Sequence, residues 1–411
     1  MSRGSSQSYD IAIVGGGLVG ASLAVALEPL GYSVAVVEAV PLQAPAQPSY
    51  DDRTLALSHS SCRILQGLDL WSALADAATP IREVIVTELG RPGRVVLRAA
   101  ETGLPAFGHV VEARAYGAAV LSRLERLAGV DLWCPARVVG AATDGERATV
   151  EVEAHDGLRK LEARLLIAAD GAHSAVRNLL GIPAREHDYG QTAVICNLTP
   201  AEYHDGRAFE RLTDTGPFAM LPHAGRRCGL VWSVETDAAP RLLELPEQQF
   251  LAEARQRFGG DLGAFLRCGK RSAYPLKLVR AERDVHQRLV LLGNAAHTIH
   301  PIGAQGFNLG LRDVAALAEV LANAAAGDPG QVQVLDAYAD WRRPDQDRTV
   351  AWSDGMARLF ANRSPAAALL RSAGLIAHAL LPPLRRRLTA GAMGYRGGRT
   401  PRLALGERLQ R

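Results

Sequence analysis

The chain has 411 residues, 48% of them hydrophobic, and a formal net charge of +3: enough apolar content for a large core, and too near neutrality to imply a polyanionic partner. Its basic residues are dispersed rather than striped, so nucleic acid is not an expected partner. The polar opening residues, the lack of any continuous apolar run long enough to span a bilayer, and five cysteines (Cys62, Cys134, Cys196, Cys228, Cys268) without a C-x-x-C spacing point to a cytoplasmic protein with free thiols.

The first element is a short β-branched run, Asp10-Ile-Ala-Ile-Val14, of the kind that forms a buried parallel strand. Gly15-Gly16-Gly17-Leu18-Val19-Gly20 follows at once and opens an apolar helix that stops at Gly31. A second strand over Tyr32–Val37 then ends at Glu38. Gly15, Gly17 and Gly20 thus form G-x-G-x-x-G in its required context, where glycines admit a pyrophosphate to the helix N-terminus and the acid takes a ribose. The ligand is a nicotinamide or a flavin dinucleotide. No second Gly-rich fingerprint follows a strand later in the chain, which disfavours paired dinucleotide domains.

Residues 82–98 read as a hairpin around Gly90-Arg-Pro-Gly93, and a helix is expected over Glu112–Leu127. A strand over Leu165–Ala169 ends in Asp170-Gly171, with Arg177 on the helix that follows. From about Gly181 to Tyr274, alternation such as Cys228-Gly-Leu-Val-Trp-Ser-Val argues for antiparallel strands. The strand Arg288–Leu292 then feeds the longest motif, residues 293–313, which contains four glycines and Pro301 and runs into an apolar helix. Glycine lets backbone amides approach a ligand, and a helix start offers unpaired N–H groups. Three strand ends therefore present Gly with Glu, Asp or Asn, and doubly wound sheets bind ligands at such ends. His297 and His300 stand three apart, but no Cys or carboxylate completes a metal set, so no metal is expected.

These readings give an α/β fold: a Rossmann-like dinucleotide domain (1–80, 105–180 and 277–345) with an inserted antiparallel-sheet substrate domain (81–104 and 181–276) and a C-terminal helical region (346–411). In that last region Ala366–Leu381 is apolar, and Leu384-Arg-Arg-Arg-Leu388 is basic. Such a segment lies against anionic lipid or packs as a helix on its own domain or in a dimer contact. Periodicity alone leaves both readings open.

With these motifs in hand, the chain resembles the group A FAD-dependent aromatic hydroxylases of the 4-hydroxybenzoate hydroxylase type. The likeness rests on Gly15-x-Gly17-x-x-Gly20, Asp170-Gly171 with Arg177, and Gly293-Asn294 running into Pro301-x-Gly303-x-x-Gly306-x-Asn308. Asp51-Asp52-Arg53-Thr54-Leu55-Ala56-Leu57, Gly206-Arg-Ala-Phe-Glu-Arg211, Lys270–Leu276, Gln305–Asp313 and Leu359–Arg363 are similar to the ubiquinone-biosynthesis hydroxylases within that superfamily. The resemblance implies FAD as cofactor, with NAD(P)H as reductant and O2 as co-substrate. It further implies hydroxylation of the ring of 2-polyprenyl-6-methoxyphenol through a flavin C4a-hydroperoxide. Implied partners are a prenylated phenol and a ubiquinone-biosynthesis complex. Because a polyprenyl substrate dissolves only in membrane or in an apolar tunnel, Ala366–Leu381 is expected to make peripheral contact with the inner face of the plasma membrane, the other reading being a contact with its own domain or with a second copy of the chain.

By the same resemblance, Gly15, Gly17, Leu18, Val19, Gly20, Glu38, Arg53, Arg114, Asp170, Gly171, Gly293, Asn294, Pro301, Gly303, Gly306, Phe307 and Asn308 belong to the cofactor site. Glu38 takes the adenosine ribose, Arg53 lies against the flavin, Asn294 meets the ribityl chain, and Gly306 to Asn308 offer backbone groups to the ring. Asn294 stands where the wider superfamily has Asp, and an amide can both accept and donate there. Gly303-Ala304 reverses an Ala-Gly order frequent in the subgroup. No acid occurs from Thr298 to Leu311, which suits a site where negative charge develops. A phenol attacks better once its proton is shared, and His223, Tyr274 and His300 are the candidates to share it. The alternatives are a sister ring hydroxylase, a flavin halogenase, disfavoured because the five tryptophans are scattered, and a non-catalytic FAD-binding scaffold.

Overall fold

The computed structural model describes residues 7–41, 53–324, 327–362, 364–395 and 398–410. Asp51, Asp52 and Arg363 lie outside them. Gln7–Val14, Val34–Val37, Gly157–Ala168, Leu289–Leu291 and Val130–Trp133 form the parallel part of a first sheet. Val34–Val37 and Leu165–Ala168 are buried throughout, because helices cover one face of this sheet and chiefly the strands Ala136–Thr143 and Ala148–Ala154 the other, so period-2 alternation is lost. An antiparallel meander, Ala136–Thr143 and Ala148–Ala154, extends from Gly157–Ala168.

The first helix, Leu18–Leu27, is capped by Gly17 without a side-chain bond and stops where Gly31 takes a left-handed φ of 70°. All of its residues but Val19 are buried, between the sheet and the helices Ala113–Leu124 and Gln305–Asn323. Each leucine or valine so buried stabilises the fold by about 1.5–3 kcal/mol. Truncating Leu23, which has no exposed surface, would cost about 2–5 kcal/mol.

The second sheet has nine strands, running in order from His297–Thr298 through Ser272–Ala281, Ala184–Pro200, Cys228–Glu235, Gly216–Pro222, Arg207–Thr213 and Glu83–Glu88 to Arg94–Arg98, with Phe265–Cys268 beside Ala184–Pro200. One face packs Val194, Leu198, Phe218, Met220 and Trp232 against Phe250 and Phe258 of the helix Glu247–Phe258. On the other face, Ala208 and Leu221 pack with Ala56 and Val110 of a separate three-stranded sheet.

Two features of this sheet depart from the sequence reading. Arg207–Thr213 pairs in parallel with Glu83–Glu88, not antiparallel. More than a hundred residues separate the two strands, so no tight turn dictates their direction. His297–Thr298, from the long glycine motif, also joins this sheet through Val279 and Arg280. That motif therefore runs from a strand of the first sheet into the second.

Candidate active site

At the first strand end, Gly15 has φ 105°, and a Cβ there would stand 2.4 Å from the Ala169 carbonyl oxygen. A Cβ on Gly20 would stand 2.0 Å from the Gly15 oxygen. Only glycine fits either place. Glu38 closes the turn: its Oε2 accepts from Gly16 N at 2.7 Å and its Oε1 from Val40 N at 2.8 Å. Leu18 is buried in the core, while Val19 wedges against Gly293 and Gly310. The side chains of both thus set packing, and their backbone stands at an uncapped helix start suited to an anion.

The second strand end holds Asp170 by Val176 N, which donates to Oδ2 at 3.1 Å. Its Oδ1 is buried and has no hydrogen-bond partner among the described residues, and burial pushes its carboxyl above the ordinary range. A buried acceptor left open carries a desolvation cost that a ligand hydroxyl would remove. Gly171 follows with φ 85°. Arg177, almost fully buried, donates to Ala172 O and to Ala295 O, both at 2.9 Å, and so ties this turn to the third.

In the third turn Gly293 is left-handed with φ 58°, and Asn294 is exposed at the rim. Beyond Pro301, Gly303 (φ 66°) and Ala304 (φ 52°) are both left-handed, which resolves the reversed Gly-Ala order. Gly303 is required twice, since a Cβ there would also stand 2.8 Å from Trp352. Ala304 bears a strain of about 1–2 kcal/mol. It is held by Asn308, whose Nδ2 donates to Ala304 O at 2.7 Å and to Ala56 O at 2.8 Å, while its Oδ1 accepts from Ser58 N at 2.8 Å and Ser61 Oγ at 2.7 Å. Phe307 packs edge-on against Tyr116 with ring centres 5.3 Å apart. The helix Gln305–Asn323 begins without a side-chain cap, leaving backbone N–H groups at its start near Gly306.

Arg53 and Tyr274 meet, with the guanidinium carbon 5.4 Å from the ring centre. Tyr274 is half-buried on the inward face, opposite Ala193. Beside them His223 Nε2 and Thr54 Oγ1 are 2.8 Å apart, and burial pushes His223 down to about 4. His300 is wholly buried: Ile302 N donates to its Nδ1 at 3.3 Å, so Nε2 carries the proton and donates to Gln191 Oε1 at 3.1 Å. Burial holds it at about 4. His223 and His300 are therefore neutral at pH 7. Arg114 is paired with Glu112, the strand neighbour of Thr54.

Three groups escaped the sequence reading. Asp313 bonds His297 Nε2 at 2.6 Å and Arg342 Nε at 2.7 Å in full burial, and Asp345 links Arg342 to Arg312. His297 thus serves this network. The Asn308 clamp is the second. The third is Glu210, on the inward face opposite Ala219 and Val86, where burial raises its carboxyl to about 7 against the backbone of Gly303. Its Oε1 is buried without a hydrogen-bond partner among the described residues. An acid in the middle of a buried strand was the available signal. Glu88, on the same face, is paired with Arg371.

Residues 8–353 match the FAD binding domain family. The chain is 40% identical to the ubiquinone hydroxylase UbiL of Rhodospirillum rubrum over 97% of its own length and 92% of that protein. The chain belongs to the family of FAD-dependent ubiquinone hydroxylases. A second relative, the 3-demethoxyubiquinol 3-hydroxylase of Escherichia coli, is 33% identical over 95% of this chain and all of that protein. The p-nitrophenol 4-monooxygenase PnpA of Pseudomonas putida superposes with a TM-score of 0.80 at 19% identity, covering 96% of this chain and 100% of that one, which establishes the hydroxylase fold. FAD is this family's cofactor, and the residues fit it: glycines without room for a Cβ at the first turn, and the open Oδ1 of Asp170.

Proposed function

We propose that the protein uses NAD(P)H and O2 to hydroxylate the aromatic ring of 2-polyprenyl-6-methoxyphenol in ubiquinone biosynthesis. The observation that supports this most is the meeting of Arg53, which follows the dinucleotide half of the chain, with Tyr274 of the inserted sheet. Gly15 to Gly20, with Glu38, hold the adenosine and pyrophosphate end of FAD; Asp170, Asn294 and the backbone of Gly306 to Asn308 hold the rest. Arg114 stands at the rim of that cofactor site. Bound and reduced FAD supplies activated oxygen.

The protein's own residues do the remainder. Backbone N–H groups at the start of Gln305–Asn323 face developing negative charge. Asn308 fixes that helix start, and Arg177 fixes the turn before it. Tyr274 shares the phenol proton, because its hydroxyl is on a half-buried side chain of the inward face, whereas His300 has no exposed surface and both of its nitrogens engaged. His223 shapes the pocket wall through Thr54. Residues 1–80, 105–180 and 277–345 form the cofactor domain, 81–104 and 181–276 the substrate domain, and 346–411 the helical region. Assembly with a second copy or with other enzymes of the pathway belongs to the same reading.

A second reading is hydroxylation at another position of a prenylated ring, favoured by the likeness to a 3-hydroxylase. Turnover of a short-chain prenyl methoxyphenol with NADH or NADPH, followed by NMR of the product, tests both. New oxygen at the predicted carbon supports the first, at a different carbon the second, and NAD(P)H oxidation without product overturns both.

A further inference from the structure

The helices Pro365–Leu380 and Pro382–Ala392 meet at a bend of 96°. The first is anchored by Leu375, which packs with Val95, Leu97 and Phe107 at the edge of the nine-stranded sheet, joined by Ala379, Leu388 and Met393. Its opposite side is apolar as well. Leu369 (71% exposed), Leu370 (61%), Ile376 (43%) and Leu380 (72%) lie on it at helical spacing with the exposed Ala366 and Ala373, and Leu381 (51%) continues them into the bend. No charged side chain interrupts this stripe. A solvent-facing helix reverses that pattern, since its outer side is normally polar. A stripe of this length on an outer face marks an interaction surface.

Charge identifies the occupant. From Pro365 to Ala392 the chain carries Arg371, Arg385, Arg386 and Arg387 and no acid. Glu88 and Glu101 take Arg371 and Arg385. Arg386 and Arg387 are exposed at the flank of the apolar bend and have no ion-pair partner among the described residues. A two-fold contact between copies would place such a cationic patch against itself. An anionic lipid surface neutralises it while covering the leucines. No single helix among the described residues is long and apolar enough to cross a membrane, and the bend suits lying on one. We infer that this elbow is a monotopic docking surface for an anionic bilayer, with Leu369, Leu370, Leu380 and Leu381 entering the lipid and Arg386 and Arg387 meeting headgroups. The elbow is packed on the substrate sheet, so docking brings that sheet to the phase in which a polyprenyl chain dissolves; this last step alone rests on the hydroxylase reading.

Sedimentation of the full-length holoenzyme with vesicles of phosphatidylglycerol and phosphatidylethanolamine, against phosphatidylcholine alone, tests the docking without turnover, so it stands or falls separately from the reaction. The expected result is binding to the anionic vesicles that drops at least about tenfold in a Leu369→Asp/Leu380→Asp variant and in an Arg386→Glu/Arg387→Glu variant, with flavin absorbance retained in both. Absence of vesicle binding, equal binding to neutral vesicles, or binding unchanged by both variants overturns the inference. So does conversion of a lipid-free dimer to a monomer by either variant, which would make the stripe a self-association face.

Discussion

Asn308 holds Ala304 in a left-handed conformation from one helical turn away, through a 2.7 Å bond from Nδ2 to the Ala304 carbonyl. The same amide makes three further bonds to Ala56, Ser58 and Ser61, so every one of its donors and acceptors is engaged inside the protein. Its side chain is a clamp, and what the site offers a ligand here is backbone.

Replacing Asn308 with Ala strands the Ser58 N–H and the carbonyls of Ala56 and Ala304. A loss of about 2–4 kcal/mol in unfolding free energy is expected, with weaker flavin retention. Ala304→Gly should instead gain about 0.5–1 kcal/mol by relieving the strained φ. Thermal or urea unfolding checks both, and a neutral Asn308→Ala would remove the clamp from the account.

Glu38 and Asp170 act on the cofactor in different ways. Glu38→Ala also frees the turn amides of Gly16 and Val40, so FAD affinity should fall about tenfold to a hundredfold, accompanied by lower stability. Asp170→Asn keeps one acceptor and should lose FAD affinity with little change in the stability of the FAD-free protein. Titration of the FAD-free protein with FAD, beside its melting curve, separates the two outcomes.

Tyr274→Phe keeps the ring under Arg53 and removes only the hydroxyl. If that hydroxyl shares the phenol proton, kcat should fall about 10²- to 10⁴-fold while flavin binding and KM stay near their original values. Unchanged kcat would leave Tyr274 a packing residue.

The buried histidines and Glu210 give opposite pH slopes. His223 and His300 titrate at about 4 when folded and near 6.5 when unfolded. The unfolded chain therefore takes up their protons first, and stability is lost as pH falls from 6.5 toward 4. Glu210 is raised from 4.5 to about 7. It stays protonated in the fold while the unfolded chain ionises, so its share of stability is lost as pH rises from 4.5 to 7. Glu210→Gln should thus be more favourable, relative to the wild type, at pH 8 than at pH 5, by more than about 1 kcal/mol. Unfolding of both proteins at the two pH values measures it, and an identical difference at both would refute the raised carboxyl.

The turns that hold the cofactor could be read from the sequence because their signals are local. Asp10 to Glu38 is a contiguous strand, turn, helix and strand, and Asp170-Gly171 and Gly293 each end an apolar run. What could not be read is what those turns touch. Asn308 reaches Ser58 across 250 residues, Arg177 reaches Ala295 across 118, and Tyr189 comes edge-on to His300 from the inserted sheet. Glu210 lay within a motif valued only as a likeness, since nothing local says that the strand's inward face meets Gly303. The parallel pairing at Glu83–Glu88 escaped for the same reason: sequence alternation gives a strand but not its neighbour.

The parallel pairing of Gly157–Ala168 with Leu289–Leu291 closes the cofactor sheet only across the whole inserted sheet. During synthesis, the strand Leu289–Leu291 that leads into Gly293 is made only after about seven-tenths of the chain. Until then the first dinucleotide turn exists without its far wall, and the apolar edge at Leu166–Ala168 is open to wrong partners. Non-local parallel closure of this kind is slow, and a half-built sheet is prone to aggregate. Cofactor supply during translation should therefore govern how much protein is recovered soluble.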